Sequence, residues 1–171
     1  MEVFVKRENW NGGIWMKLPV SEEQAEQVLD ELAGYHPSRM IPFIGDVEVP
    51  VAGLAHLLIG EFVFQDSNLG QLNYLAAKLG SWSEQERAVF ETVLQNEKPD
   101  SLLRIVEAMD HLDQYECHPE IKSLEQYGHY LFEREGRTLP VELTGYFDYE
   151  AYGRIHMKAS ERLTDEGLIT R

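Results

Sequence analysis

The chain has a single cysteine, Cys117, in 171 residues. No intrachain disulfide can form, so the expectation is a protein of a reducing cytoplasm. Long apolar runs are missing as well. The longest such stretch, Val49 to Phe64, is interrupted by Pro50, Gly53, His56, Gly60 and Glu61, too short and too broken for a membrane span. The opening residues MEVFVKRENW lack the apolar run and small-residue cleavage site of a secretory leader. Basic residues are scarce: 15 Lys and Arg stand against 30 Asp and Glu, a formal net charge of −15. Direct binding of nucleic acid is therefore not expected, because domains that grip phosphates are basic.

The usual marks of chemistry are absent too. There is no G-x-S-x-G, P-loop or G-x-G-x-x-G pattern, and Gly12 and Gly13 flank a hairpin rather than the start of a helix. His111, Cys117 and His118 form the nearest thing to a metal cluster. Adjacent ligands rarely converge on one ion, so neither a metal nor a cofactor is expected. Close carboxylate pairs such as Glu133 with Glu135 arise by chance among thirty acids. Acid–base catalysis would need them in a pocket with separated pKa values. The chain is not expected to be an enzyme.

What is present is ample core material, 43% hydrophobic and 11% aromatic. Val3, Val5, Ile14 and Met16 alternate as in two strands, with Asn11-Gly12-Gly13 between them. Ser21 with Gln24 makes a capping box for a helix carrying Ala25, Val28, Leu29 and Leu32, with Gly34 as its stop. Beyond Pro37 a strand is expected around Met40–Ile44. Leu54–Ile59 reads as helix or strand, and Phe62–Phe64 as a closing strand.

The middle is helical. One stripe is Leu69, Leu72, Leu75, Ala76 and Leu79, ended by Gly80. The second helix starts at the Ser83–Glu86 capping box and buries Val89, Phe90, Val93 and Leu94. The third follows Pro99 and Asp100, with Leu102, Leu103, Ile105, Val106, Met109 and Leu112 as its inner face. Connections this short predict a small bundle. A further box, Ser123 with Gln126, opens a helix to Gly136. One turn is expected at Val141–Gly145, an Asp148-capped helix from Tyr149 to about Lys158, and a terminal strand at Gly167–Thr170.

The acids are unevenly spread. Residues 61–120 hold 12 acids against 4 bases, whereas residues 121–171 hold 9 against 7. Glu107, Asp110, Asp113 and Glu116 recur every third residue, with Glu120 beyond them. On a straight helix, Asp110 to Glu120 would cover about a third of the circumference. Such a strip is either a solvated face or a surface kept for a partner despite like-charge repulsion.

The run Leu143-Thr-Gly-Tyr-Phe-Asp-Tyr-Glu-Ala-Tyr-Gly-Arg154 closely resembles the signature of ArdA antirestriction proteins. Its core is Tyr146, Phe147, Asp148, Tyr149, Glu150, Tyr152, Gly153 and Arg154. Leu69-Gly-Gln-Leu-Asn73 is similar to a second element of that family. The pattern departs after Gly-Arg, where Ile155 and His156 follow in place of the family's usual Asp.

The resemblance implies an elongated α+β protein of three small domains. These would be residues 1–68 (mixed α/β), 69–115 (helical bundle) and 116–171 (α+β, carrying the motif and dimer contacts). It implies a homodimer that mimics B-form DNA and occupies the DNA-binding groove of the methyltransferase core of type I restriction-modification enzymes. The acidic surface would be Glu84, Glu86, Glu91, Glu97, Asp100, Glu107, Asp110, Asp113, Glu116 and Glu120. Asp148 and Glu150 would be surface or capping groups, and Phe147, Tyr149 and Tyr152 packing or dimer contacts. At one phosphate per ~1.7 Å of duplex, the charge matches roughly 25 Å of DNA per chain. Two other readings stand beside this one: an inhibitor of a different DNA-binding defence system such as a CRISPR effector, and an acidic dimeric scaffold without mimicry.

Overall fold

The computed structural model describes residues 1–8, 10–35, 41–65 and 67–171. It is an α+β protein whose contacts group the chain into two compact units, Met1–His111 and Leu112–Arg171. Pro37, and Met40 at the start of the strand expected around Met40–Ile44, lie outside the described residues; the described strand there is Phe43–Glu48.

In the first unit, strand β1 (Glu2–Lys6) pairs antiparallel with β2 (Ile14–Lys17) and with β3 (Phe43–Glu48), giving the order β2-β1-β3. Alternation sets the faces: Val3, Val5, Met16, Ile44 and Val47 are buried, while Phe4 pairs with Trp15 on the other side. Helix α1 (Glu22–Tyr35) begins at a complete capping box. The Gln24 N–H donates to Ser21 Oγ, and the Ser21 N–H donates to Gln24 Oε1. Gly34 does not stop it. The helix runs on to Tyr35, whose ring stacks against Trp10 at 6.2 Å and gives the last turn a packing partner.

The Leu54–Ile59 segment contains a single helical turn, α2 (Ala55–Leu58). The strand expected at Phe62–Phe64 does not form, and Phe62 makes only an isolated bridge with Phe43. Backbone bonds are satisfied one by one instead: Gly60 N–H donates to Ile44 O, Ile44 N–H to Glu61 O, and Val63 N–H to Pro42 O.

Helices α3 (Asn68–Ser81), α4 (Glu84–Glu97) and α5 (Leu102–Ala108) follow, with α5 packed on both others. Gly80 lies inside α3, which ends one residue later where Ser83 begins to cap α4. Asn73 joins this bundle to the connection between β2 and α1. Its Oδ1 accepts from Val20 N–H and its Nδ2 donates to Val20 O, both at 2.8 Å, in the pattern of a β-pair.

The third helix is shorter than its apolar residues imply. Leu102, Ile105, Ala108 and Met109 are buried, but Leu103 is half exposed because seven residues present only a narrow stripe inward. At Met109 the backbone tightens into a 3-10 helix, Met109–Gln114. Glu107, Asp110, Asp113 and Glu116 therefore do not share one straight helix. Three residues per turn still align Asp110 with Asp113.

In the second unit, β4 (Glu116–His118) pairs antiparallel with β6 (Gly167–Thr170), which pairs with β5 (Arg162–Thr164), in the order β4-β6-β5. The sheet leans on α6 (Leu124–Arg134) through a core of Ile121, Tyr127, Leu131 and Leu168. Ser123 Oγ accepts from Gln126 N–H, but the Gln126 side chain turns to Lys122 N–H at 2.7 Å, so the box is not closed reciprocally. The turn α7 (Val141–Thr144) and the helix α8 (Tyr149–His156) form where expected, and Asp148 Oδ1 accepts from Ala151 N–H at 2.8 Å.

Candidate functional site

The acidic residues of the bundle divide by what their carboxylates already hold. Glu86 is spent on its own helix. Its Oε2 accepts from both the backbone N–H and the hydroxyl of Ser83, and those bonds, the backbone one first, hold its carboxyl below the usual range. Glu91 accepts from Gln95 at 3.1 Å and Glu107 from Arg104 at 2.7 Å. Both Glu97 oxygens lie 2.9 Å from His111 Nδ1.

Glu84, Asp100, Asp110 and Asp113 differ. All four are exposed, and none makes an ion pair with a described residue. Glu116 and Glu120 are also exposed, at 3.9 and 3.7 Å from the two ring nitrogens of His118. A carboxylate in water with no cation beside it is fully available to a partner's lysine or arginine. One already bonded must first give up its own contact.

The Tyr146–Arg154 run forms one side of the second unit, where α8 packs along α6. Gly153 is fitted to the crossing, since a Cβ there would collide with the Leu124 carbonyl and lie 3.0 Å from Gly128 N. The two helices approach backbone to backbone. Around them Phe147 meets Phe132 at 5.0 Å and Tyr149 at 4.8 Å, and Tyr149 stacks on His129 at 3.6 Å.

Tyr152 donates its hydroxyl to Glu135 Oε2 at 2.7 Å, and Arg137 Nε reaches the same oxygen at 2.7 Å. The Tyr152 bond and, less strongly, Arg137 hold Glu135 below the usual carboxylate range. Glu150 pairs with Arg154 one turn on. Tyr146 is left out of the cluster and is 88% exposed. Val141, Leu143 and Ile155 of the same unit are exposed apolar side chains as well.

Sequence reasoning passed over a polar centre in this unit. Tyr127 is fully buried and donates its hydroxyl to Glu161 Oε2, which also accepts the Lys158 N–H at 3.0 Å. Burial first, then the bond to that carboxylate, pushes the Tyr127 phenol far above its ordinary value of 10.0. The only hint in the sequence was a tyrosine on the apolar stripe of α6. Its partner lies 34 residues away.

Cys117 Sγ lies 3.7 Å from the Glu166 carbonyl. Among the described residues, no three His, Cys, Asp or Glu side chains are grouped to hold a metal ion. None of the described helices is long and apolar enough to cross a membrane. A family model described as Antirestriction protein (ArdA) matches residues 10–170. No curated protein matches the chain.

Proposed function

The chain belongs to the ArdA family of antirestriction proteins, inhibitors of type I restriction enzymes, and from that membership we propose that it acts in the cytoplasm as a non-catalytic mimic of B-form DNA. It occupies the DNA-binding groove of the methyltransferase core of a type I restriction-modification enzyme and protects incoming mobile-element DNA. The observation that carries this reading is that Glu84, Asp100 and Asp110 of the first unit and Asp113 of the second are exposed and make no ion pair with a described residue. These groups would meet the lysines and arginines that otherwise grip phosphates, displacing ions as DNA does.

The active form is proposed to be a homodimer. Val141, Leu143, Tyr146 and Ile155 are exposed apolar side chains available for contact between copies, and pairing doubles the mimicked length to roughly 50 Å. The test is competition between the purified protein and duplex DNA for the methyltransferase core across a salt series. Inhibition that weakens steeply with salt is expected, and inhibition indifferent to salt would exclude mimicry.

A further inference from the structure

Two clefts lie side by side on the first unit, and Lys98 and Pro99 line both. The first, of about 410 Å³, is walled by Leu57, Leu94, Pro99 and the open face of Gly53. The second, of about 310 Å³, is edged by Glu97, Asp100, Glu107 and Arg104. The saddle between them is a helix end. Lys98 caps α4 at φ 49°, a conformation that usually selects glycine, and its N–H donates to Leu94 O at 2.9 Å.

A surface that only copied a phosphate backbone would need carboxylates and no apolar hole. We propose that this double cleft is a docking point for a segment of the target protein that carries a large apolar side chain beside an arginine or lysine. The apolar side chain enters between Leu57 and Leu94, and the cation reaches Asp100 and its neighbours. Charge complementarity selects this occupant: among the described residues at the clefts, Glu91, Glu97, Asp100 and Glu107 outnumber Lys98 and Arg104, and while Glu97 is bonded to His111 and Glu107 to Arg104, Asp100 has no ion pair with a described residue. An apolar anchor with a charged rim is the usual form of a protein hot spot. It would give the inhibitor a contact that DNA cannot make. The inference rests on the proposed type I target and adds to its binding an apolar part that does not depend on salt.

Gly53 allows a direct test, because a Cβ there meets nothing closer than Glu91 Cγ at 3.8 Å. Gly53→Phe should fill the apolar cleft from its rim, whereas Gly53→Ala should leave it open. His56→Trp, at an exposed position on the same rim, is a second obstruction. Inhibition of a type I methyltransferase core is measured for parent and variants from low to moderate salt, with melting curves to verify folding. Both bulky variants should raise the half-inhibitory concentration tenfold or more at every salt, with Gly53→Ala equal to the parent. Folded bulky variants that inhibit within twofold of an active parent overturn the docking point alone. A parent that does not inhibit overturns the target and the docking point together. A parent whose inhibition ignores salt removes the mimicry, while the comparison of Gly53→Phe with Gly53→Ala still decides the cleft.

Discussion

Gly153 of α8 and Gly128 of α6 face each other so closely that a Cβ on Gly153 would lie 3.0 Å from the Gly128 nitrogen. A Cβ on Gly128 would collide with the Tyr149 carbonyl. Both obstacles are backbone, which cannot rotate aside. Gly153→Ala and Gly128→Ala should each destabilise the second unit by about 2–3 kcal/mol. Urea unfolding followed by tyrosine fluorescence checks this. Gly70→Ala, on the open face of α3, serves as the opposite control. It should stabilise by about 0.5–1 kcal/mol.

Carboxylates with no ion pair to a described residue should matter more to inhibition than those already engaged. Combined neutralisation of Asp100, Asp110 and Asp113 to Asn should weaken inhibition and flatten its log–log salt dependence by roughly 2–3, at about 0.9 per lost contact. Glu107→Gln alone should do less than Asp110→Asn alone, because Glu107 is bonded to Arg104. Equal effects from the two single variants would remove the distinction.

Acid should weaken the protein through Glu86 and Glu135. Both folded pKa values lie below the ordinary 4.5, so each contributes stability that is present above that value and lost as pH falls through the folded pKa. The expected loss begins near pH 4.5 and deepens below it. Tyr152→Phe removes the main cause of the Glu135 shift. NMR titration should then show the Glu135 carboxyl moving up toward its ordinary value while Glu86 stays where it is.

Alkali should act through Tyr127. Its folded pKa is raised, so its contribution is complete below the unfolded value of 10.0 and is lost as pH rises toward the folded one. Tyr127→Phe should cost about 1–3 kcal/mol at neutral pH, because Glu161 loses a donor in a buried place. The same variant should lose less stability between pH 9 and 11 than the parent, as read from chemical denaturation at each pH.

Tyr146, at 88% exposed, and Val141, at 87%, should respond to charge only if they contact a second copy. Tyr146→Glu with Val141→Asp should leave the melting temperature of the monomer nearly unchanged and shift the species seen by light scattering from dimer to monomer. Inhibition should fall with it, since half the mimicked length is lost. A doubly substituted protein that remains dimeric would place the interface elsewhere.

Local chemistry made much of the secondary structure legible. The Ser21–Gln24 and Ser83–Glu86 boxes and the Asp148 cap mark helix starts because their partners lie three residues apart in the chain. Periodicity found the buried faces of α3 and α4 for the same reason. The Tyr146–Arg154 run pointed to the family that residues 10–170 match. Glycine proved a poor guide to helix ends: Gly34 and Gly80 each sit inside a helix that continues one residue further. A helix end depends on what the following residues can pack against or cap.

By itself, then, the sequence determined where most helices begin, which residues are apolar, the excess of acid and the family. Tertiary structure decided how those parts are used, because the deciding contacts join residues far apart in the chain. Asn73 clamps Val20 across 53 positions, Tyr127 holds Glu161 across 34, and β4 and β5 exist only because β6 lies between them. The acidic strip shows the same limit. Spacing placed Glu107 to Glu116 on one helix, but the chain tightens at Met109 and turns to a strand at Glu116. Which carboxylates have a cation or donor beside them, among the described residues, depends on contacts that the fold makes and spacing does not show.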